Sequence, residues 1–287
     1  MKFHVKNETL EATFDTLGAE LLSLKSSERE YIWEGNPDFW SKHSPILFPI
    51  VGALKNDTYF FEGQEFQLPR HGFAREKEFT VVQKSENNII FSLKDDAETI
   101  EVYPFYFELQ IEYLLLESKL EVHYRVKNNS ENKLYFSIGG HPAFKLSSHF
   151  EDHALLFQTD EDLRFSLLEN NLLGEETQTL ETIDNKLPLN YKLFEKDALV
   201  FKNQKVQSIM ILEKGKKLLK VHLEQFPELG IWTKTDAPFI CIEPWFGHAD
   251  EVKTTQILNE KAGIQILEKN GVFKADYAIE VLLLKQI

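Results

Sequence analysis

The sequence predicts an all-β fold, a large antiparallel β-sandwich with a few short helices, and three observations carry that prediction. Runs rich in β-branched and aromatic residues recur along the whole chain, Asn, Gly, Asp and Pro punctuate them, and long stretches of helical periodicity are scarce. In chain order, Thr58–Phe61 and Gln64–Gln67 form a hairpin about Glu62-Gly63, because such a pair supports a tight turn. Short helices are expected at Pro37–Lys42, where Asn36 is placed to cap, and at Asp95–Ile100. Phe105–Leu116 and Lys119–Lys127 read as two long neighbouring strands meeting at Glu117-Ser118, and Asn128-Asn129-Ser130 ends the second. Further strands follow at Lys133–Ile138, Leu163–Leu168, Leu199–Lys202, Ser208–Glu213, Lys217–Leu223, Gly230–Lys234, Phe239–Glu243 and Tyr277–Lys285. The charged tract Asn170–Lys186 reads as an exposed excursion between strands.

No Pro/Ser/Gly-rich linker divides the 287 residues, so one domain, 1–287, is expected. So many strands must hide their edges in a barrel or in two packed sheets, and the length favours the sandwich. With 43% hydrophobic and 27% charged residues the chain can bury a large core, which excludes a disordered or coiled-coil protein. A net charge of -14 repels phosphate backbones and anionic bilayers, so neither nucleic acid nor a membrane is an expected partner. The single cysteine, Cys241, has no internal disulfide partner, which suits a reducing compartment. The N-terminus lacks the apolar core of a signal peptide and no run approaches a membrane span, so the chain reads as cytoplasmic and complete. Oligomeric state is not set by the sequence.

Three segments place an ionisable residue among Gly, Pro and aromatics: Arg70-His71-Gly72-Phe73-Ala74-Arg75, Gly139-Gly140-His141-Pro142-Ala143-Phe144 and Cys241-Ile242-Glu243-Pro244-Trp245-Phe246-Gly247. Taken singly, a histidine beside glycines is an ordinary hydrogen-bonded corner and a strand-end Glu is usually solvated. His141 and Glu243, however, each precede a proline, which excludes the α region and restricts where the side chain leaves the backbone. Gly139 and Gly140 clear space beside His141 for a ligand or another backbone. In a regular strand, Glu243 shares a face with Phe239 and Cys241, and apolar neighbours raise a carboxyl pKa toward the range useful for proton transfer. A histidine and a carboxylate can move protons in opposite directions on one substrate. No His-x-His pair is present and no histidine pair falls within these three segments, so a metal would have to gather ligands from distant segments, and no metal site is expected. Of Trp33, Trp40, Phe73, Phe144, Trp232, Trp245 and Phe246, most belong in the core and one or two offer a flat surface to a sugar.

Six segments then occur in order: Gly18-Ala-Glu-Leu-Leu-Ser-Leu24, Pro45-Ile-Leu-Phe-Pro-Ile-Val-Gly52, His71-Gly-Phe-Ala-Arg75, Gly139-Gly-His-Pro-Ala-Phe144, Lys196-Asp-Ala-Leu-Val-Phe201 and Ile242-Glu-Pro-Trp245. Together they resemble the aldose 1-epimerase (galactose mutarotase) family, especially its LacX-like bacterial branch, across almost the whole chain. The resemblance implies a galactose-mutarotase-like β-supersandwich and a cofactor-independent isomerase acting on a monosaccharide. It also implies that Glu243 takes the anomeric hydroxyl proton while His141 protonates the ring oxygen. His71, Arg75 and Asp197 match substrate-binding positions, and Lys55, in Gly52-Ala-Leu-Lys55-Asn-Asp57, stands where an arginine is usual. Lysine lacks arginine's fork of donors, so sugar preference is expected to differ. His141 must be protonated in the working state, which Glu243 or Asp197 nearby would favour. Scarce arginine favours a free hexose over the alternative, a hexose 6-phosphate, and a non-catalytic sugar-binding protein is the reading from a different class.

Overall fold

The computed structural model describes residues 1–27 and 29–282. Two large antiparallel sheets dominate. The nine-stranded sheet runs in the order Lys186–Pro188, His153–Gln158, Ser208–Glu213, Lys216–His222, Val272–Val281, Lys119–Asn128, Phe107–Leu116, Asn88–Lys94 and Thr80–Lys84. The eight-stranded sheet runs Leu172–Thr179, Arg164–Glu169, Leu199–Phe201, Glu228–Trp232, Phe239–Phe246, Ile138–Gly140 and Ile46–Leu47, with Ala143–Lys145 paired to Phe239–Phe246 off that path. A three-stranded sheet, Lys2–Lys6, Glu11–Asp15 and Leu21–Lys25, adds a segment for which no strand was expected.

Period-two patterning explains the layers. Phe107–Leu116 buries every second residue, and its inward Phe107, Leu109, Ile111 and Tyr113 join one continuous apolar cluster with Ile138, Leu199, Ile231, Ile240 and Ile242 of the other sheet. The predicted large β-sandwich is therefore the observed fold. In Phe239–Phe246 the even residues Ile240 and Ile242 face this core, while Phe239, Cys241 and Trp245 belong to separate clusters on the opposite face. That opposite face builds the site.

Several local expectations need correction. Pro37–Lys42 is not a helix: Asn36 accepts the backbone N–H groups of Phe39 and Trp40 at 3.1 and 2.9 Å, and its side chain accepts that of Asp38, but the chain makes only one turn. The other helix forms at Ala97–Val102, closed by a reciprocal Asp96–Thr99 capping box, about one turn's fraction later than expected. Asn170–Lys186 is not a plain excursion; it contains the edge strand Leu172–Thr179, whose outer half is exposed and polar, as suits an unpaired edge. The last strand begins earlier than predicted, at Val272, and residues 283–285 of that expectation lie outside the described residues.

Candidate active site

A cavity of about 510 Å³ opens on the outer face of the eight-stranded sheet, within the range of roughly 300–1,000 Å³ usual for small-molecule sites. Its floor is set by strand register. Gly230 pairs with Glu243 and Gly139 with Trp245, and a Cβ on either glycine would fall 2.3 or 2.4 Å from the Trp245 ring. These glycines therefore let the indole lie flat across three strands. Gly140 in turn would meet the Tyr124 and Tyr277 hydroxyls, so the space expected for a ligand beside His141 is taken by protein.

His141 and Glu243 come together on this floor. His141 Nε2 lies 3.2 Å from Glu243 Oε2, yet the atoms are not aligned as a hydrogen bond and Oε2 has no bonding partner. Glu243 is 1% exposed and His141 8%, and this burial pushes the carboxyl well above its ordinary range and the imidazole down to about 3. The distance would suit an ion pair, but drying both groups outweighs their attraction, so the neutral pair is favoured, contrary to the expected protonated His141. In either arrangement the two groups share one proton. Trp40 stacks on His141 at a centroid distance of 4.8 Å and Trp232 meets it edge-on. Trp40 is held by the Trp33 indole N–H, which donates to its carbonyl, while Lys234 donates to the carbonyl of Phe39.

His71 stands with its ring centroid 5.7 Å from that of His141. Its backbone φ of 71° is left-handed, a strained conformation for a branched ring side chain, and the backbone exchanges bonds with Gly52: His71 N–H donates to Gly52 O at 2.8 Å, and Gly52 N–H donates to His71 Nδ1 at 3.1 Å. Burial, aided by His141, Arg70 and Arg75, holds the ring well below its ordinary pKa. A neutral imidazole has one acceptor nitrogen, and the fixed Gly52 N–H faces Nδ1. Arg70 Nε–H in turn donates to His71 Nε2 at 3.3 Å, so both ring nitrogens face donors and a neutral ring accepts from one of them at a time.

Arg70 is the residue sequence reasoning left off the site, although it begins the His71 segment. Its Nη1 lies 3.1 Å from Asn171 Oδ1 and 3.7 Å from Asp197 Oδ2. Asp197, at φ 78°, reaches the cavity with Arg70, Arg75 and the Trp40, Trp232 and Trp245 rings. Arg75 mainly braces the loop, donating from Nη2 to the Arg70 carbonyl at 2.9 Å. Lys55 is not among the cavity-lining residues; its ammonium donates to the Val252 carbonyl at 3.2 Å, so it does not replace an arginine in the cavity. Trp33 and Phe144 are core, as expected of most of the aromatics.

Comparison with known proteins agrees with this geometry. The aldose 1-epimerase family profile matches residues 1–266. The plasmid-encoded protein LacX of Lactococcus lactis subsp. lactis is 34% identical, with 98% of this chain and 100% of that protein covered. Among solved structures, a galactose mutarotase related enzyme from Lactobacillus acidophilus superposes with a TM-score of 0.95 at 31% identity over 100% of this chain and 99% of that one. A galactose mutarotase-like protein from Lactobacillus casei gives 0.93 at 27% identity over 98% and 100%. With its sequence matched to the family almost from end to end and its fold shared with galactose mutarotase-like proteins, the chain belongs to the aldose 1-epimerase family.

Proposed function

We propose that this chain is a cofactor-independent mutarotase, acting as a single domain, that interconverts the α and β anomers of a free hexose by acid–base ring opening and reclosure. The observation that carries this reading is the unbonded approach of His141 Nε2 and Glu243 Oε2, 3.2 Å apart on the floor of a sugar-sized cavity. Glu243 takes the proton of the C1 hydroxyl as His141 delivers one to the ring oxygen; the C1–O bond breaks and the open-chain aldehyde forms. Rotation about C1–C2 and reclosure, with the two roles exchanged, give the other anomer. For ring opening the pair's single proton must stand on His141, passed there from Glu243; opening leaves the proton on Glu243 and His141 neutral, and reclosure reverses both transfers, so each half-reaction balances. Arg70 offers donors to sugar oxygens beside His71, Asp197 accepts from a hydroxyl, and the buried indole N–H of Trp245 stands without a partner. Each positioned acid or base contributes about 10²–10⁴-fold, which suffices for hemiacetal opening.

The free hexose is favoured over a 6-phosphate because the cations at the cavity already have partners. Arg70 faces Asp197 and Asn171, Arg75 holds the Arg70 carbonyl, and Lys234 holds that of Phe39. Saturation-transfer NMR between the anomers of glucose, galactose and their 6-phosphates tests both points. Glu243→Gln and His141→Asn should each slow exchange by about 10²–10⁴-fold while leaving the unfolding transition in place. Undiminished exchange in either variant removes that residue from its role, and no exchange in the native protein leaves a sugar-binding protein.

A further inference from the structure

We propose that Cys241, His141 and Glu243 form a binding site for one thiophilic divalent cation of the zinc class, and that its occupation shuts the acid–base pair down. The three residues bring one sulfur, one nitrogen and one oxygen donor within 4.8 Å of one another. Cys241 and Glu243 are alternate residues of the strand Phe239–Phe246, so the pleat puts both on one face, and His141 reaches them from the segment leading into Ala143–Lys145, which pairs with that strand. A strand Cys-x-Glu joined by a distant histidine has no telltale spacing, which is why the sequence pointed away from a metal.

The site is built rather than incidental. Cys241 is fully buried and Glu243 is 1% exposed, yet Glu243 Oε2 lacks a hydrogen-bond partner, an arrangement that leaves a buried oxygen with a bonding position to fill. Zinc binds S, N and O donors at about 2.3, 2.0–2.1 and 2.0–2.2 Å in a tetrahedron, so a bound ion would draw the widest pair together by roughly 1 Å. Thiolate and carboxylate balance the dication, and binding expels two protons, the thiol's and the one that His141 and Glu243 share. Three protein ligands leave a fourth position for water or a substrate hydroxyl on the cavity side, where His141 and Glu243 form part of the lining. Magnesium, which demands oxygen octahedra, does not fit a donor set containing sulfur.

Titration of the purified protein with Co²⁺ tests the site directly. The native protein should develop a sulfur-to-cobalt charge-transfer band that Zn²⁺ abolishes by displacement, and Cys241→Ala and the volume-preserving Cys241→Ser should lack it. Zn²⁺ should inhibit mutarotation reversibly by a chelator whereas Mg²⁺ should not, and both cysteine variants should keep metal-free activity while needing more than about tenfold more Zn²⁺ for half-inhibition. Absence of the sulfur band in the native protein, or equal zinc sensitivity of native and variant proteins, overturns the proposal. The inhibition arm rests on the mutarotase reading, but the cobalt spectrum does not, so a metal-free protein without turnover would count against the activity and leave the site to be decided by its spectrum.

Discussion

Acidification distinguishes a neutral, proton-sharing pair from an ordinary histidine acting against an ordinary carboxylate. Burial raises the Glu243 carboxyl well above 4.5 and lowers His141 from 6.5 to about 3. Turnover needs one proton on the pair, so the acid limb of kcat/KM marks entry of a second proton, onto His141. At about pH 4, an ordinary pair would already carry its second proton in most molecules, because a carboxyl of ordinary pKa near 4.5 takes it up, and kcat/KM would stand about fourfold below its plateau. With the second proton entering His141 only at about 3, on the order of 10% of neutral pairs are doubly protonated at that pH, and the rate should be nearly undiminished. Polarimetry at constant ionic strength, corrected for spontaneous mutarotation at each pH, reads the difference. An acid limb near the ordinary carboxyl value, 4.5, would refute the neutral pair. On the alkaline side, loss of the shared proton should lower kcat/KM only above the usual carboxyl range. The same shifts have opposite linkage signs: raised Glu243 contributes stability that is lost as pH rises through its folded pKa, and lowered His141 stability that is lost as pH falls toward its own. Between the two ordinary values, 4.5 and 6.5, folded and unfolded pairs each hold one proton and their contributions to the pH slope cancel.

Two further outcomes follow from the surrounding contacts. Arg70→Lys, which cannot span Asp197, Asn171 and the cavity with one fork of donors, should raise KM about tenfold, whereas Lys55→Ala, outside the cavity, should change KM less than about twofold; steady-state kinetics on the two variants decide, and a reversed order would restore Lys55 to the site. Lys261→Met should destabilise the fold by about 3–5 kcal/mol in urea denaturation, because Lys261 and Asp250 form a buried pair at 2.8 Å and the change leaves a carboxylate unpaired; a loss below about 1 kcal/mol would show that Asp250 finds another partner.

What the sequence made legible follows the range of the interaction. The sandwich was legible because Phe107–Leu116 writes its burial into a period-two alternation, while Ser208–Glu213 and Phe239–Phe246, buried on both faces, read as short apolar, β-branched or aromatic runs. The N-terminal Lys2–Lys6 escaped because its burial is slight and its charges interrupt the pattern. Within the site, the facing of Glu243 with Cys241 was readable from the pleat alone, but its distance to His141 depends on how Phe239–Phe246 pairs with both Ile138–Gly140 and Ala143–Lys145, a register no local pattern encodes.

The arginine question shows the same limit more sharply. Lys55 drew attention because it follows a glycine in a motif position, and Gly52 does serve the site, but through its backbone, which holds the His71 ring. The Lys55 side chain turns instead to Val252, and its own N–H is held 3.0 Å from Asp250 Oδ2, the carboxylate that Lys261 neutralises from the other side. Asp250 N–H also donates to Ala53 O at 2.8 Å. The segment Gly52–Lys55 is thus clamped by a buried ion pair nearly two hundred residues away, and its geometry reaches the cavity as one backbone N–H. Arg70, by contrast, gains its place from standing next to His71 and opposite Asp197, so the guanidinium is supplied from the histidine's own loop. If that account is right, Lys261→Met should carry a kinetic trace besides its stability loss: in the folded fraction, loosening of Gly52 frees the His71 ring to rotate, and KM should rise with little change in the pH limbs, which belong to His141 and Glu243.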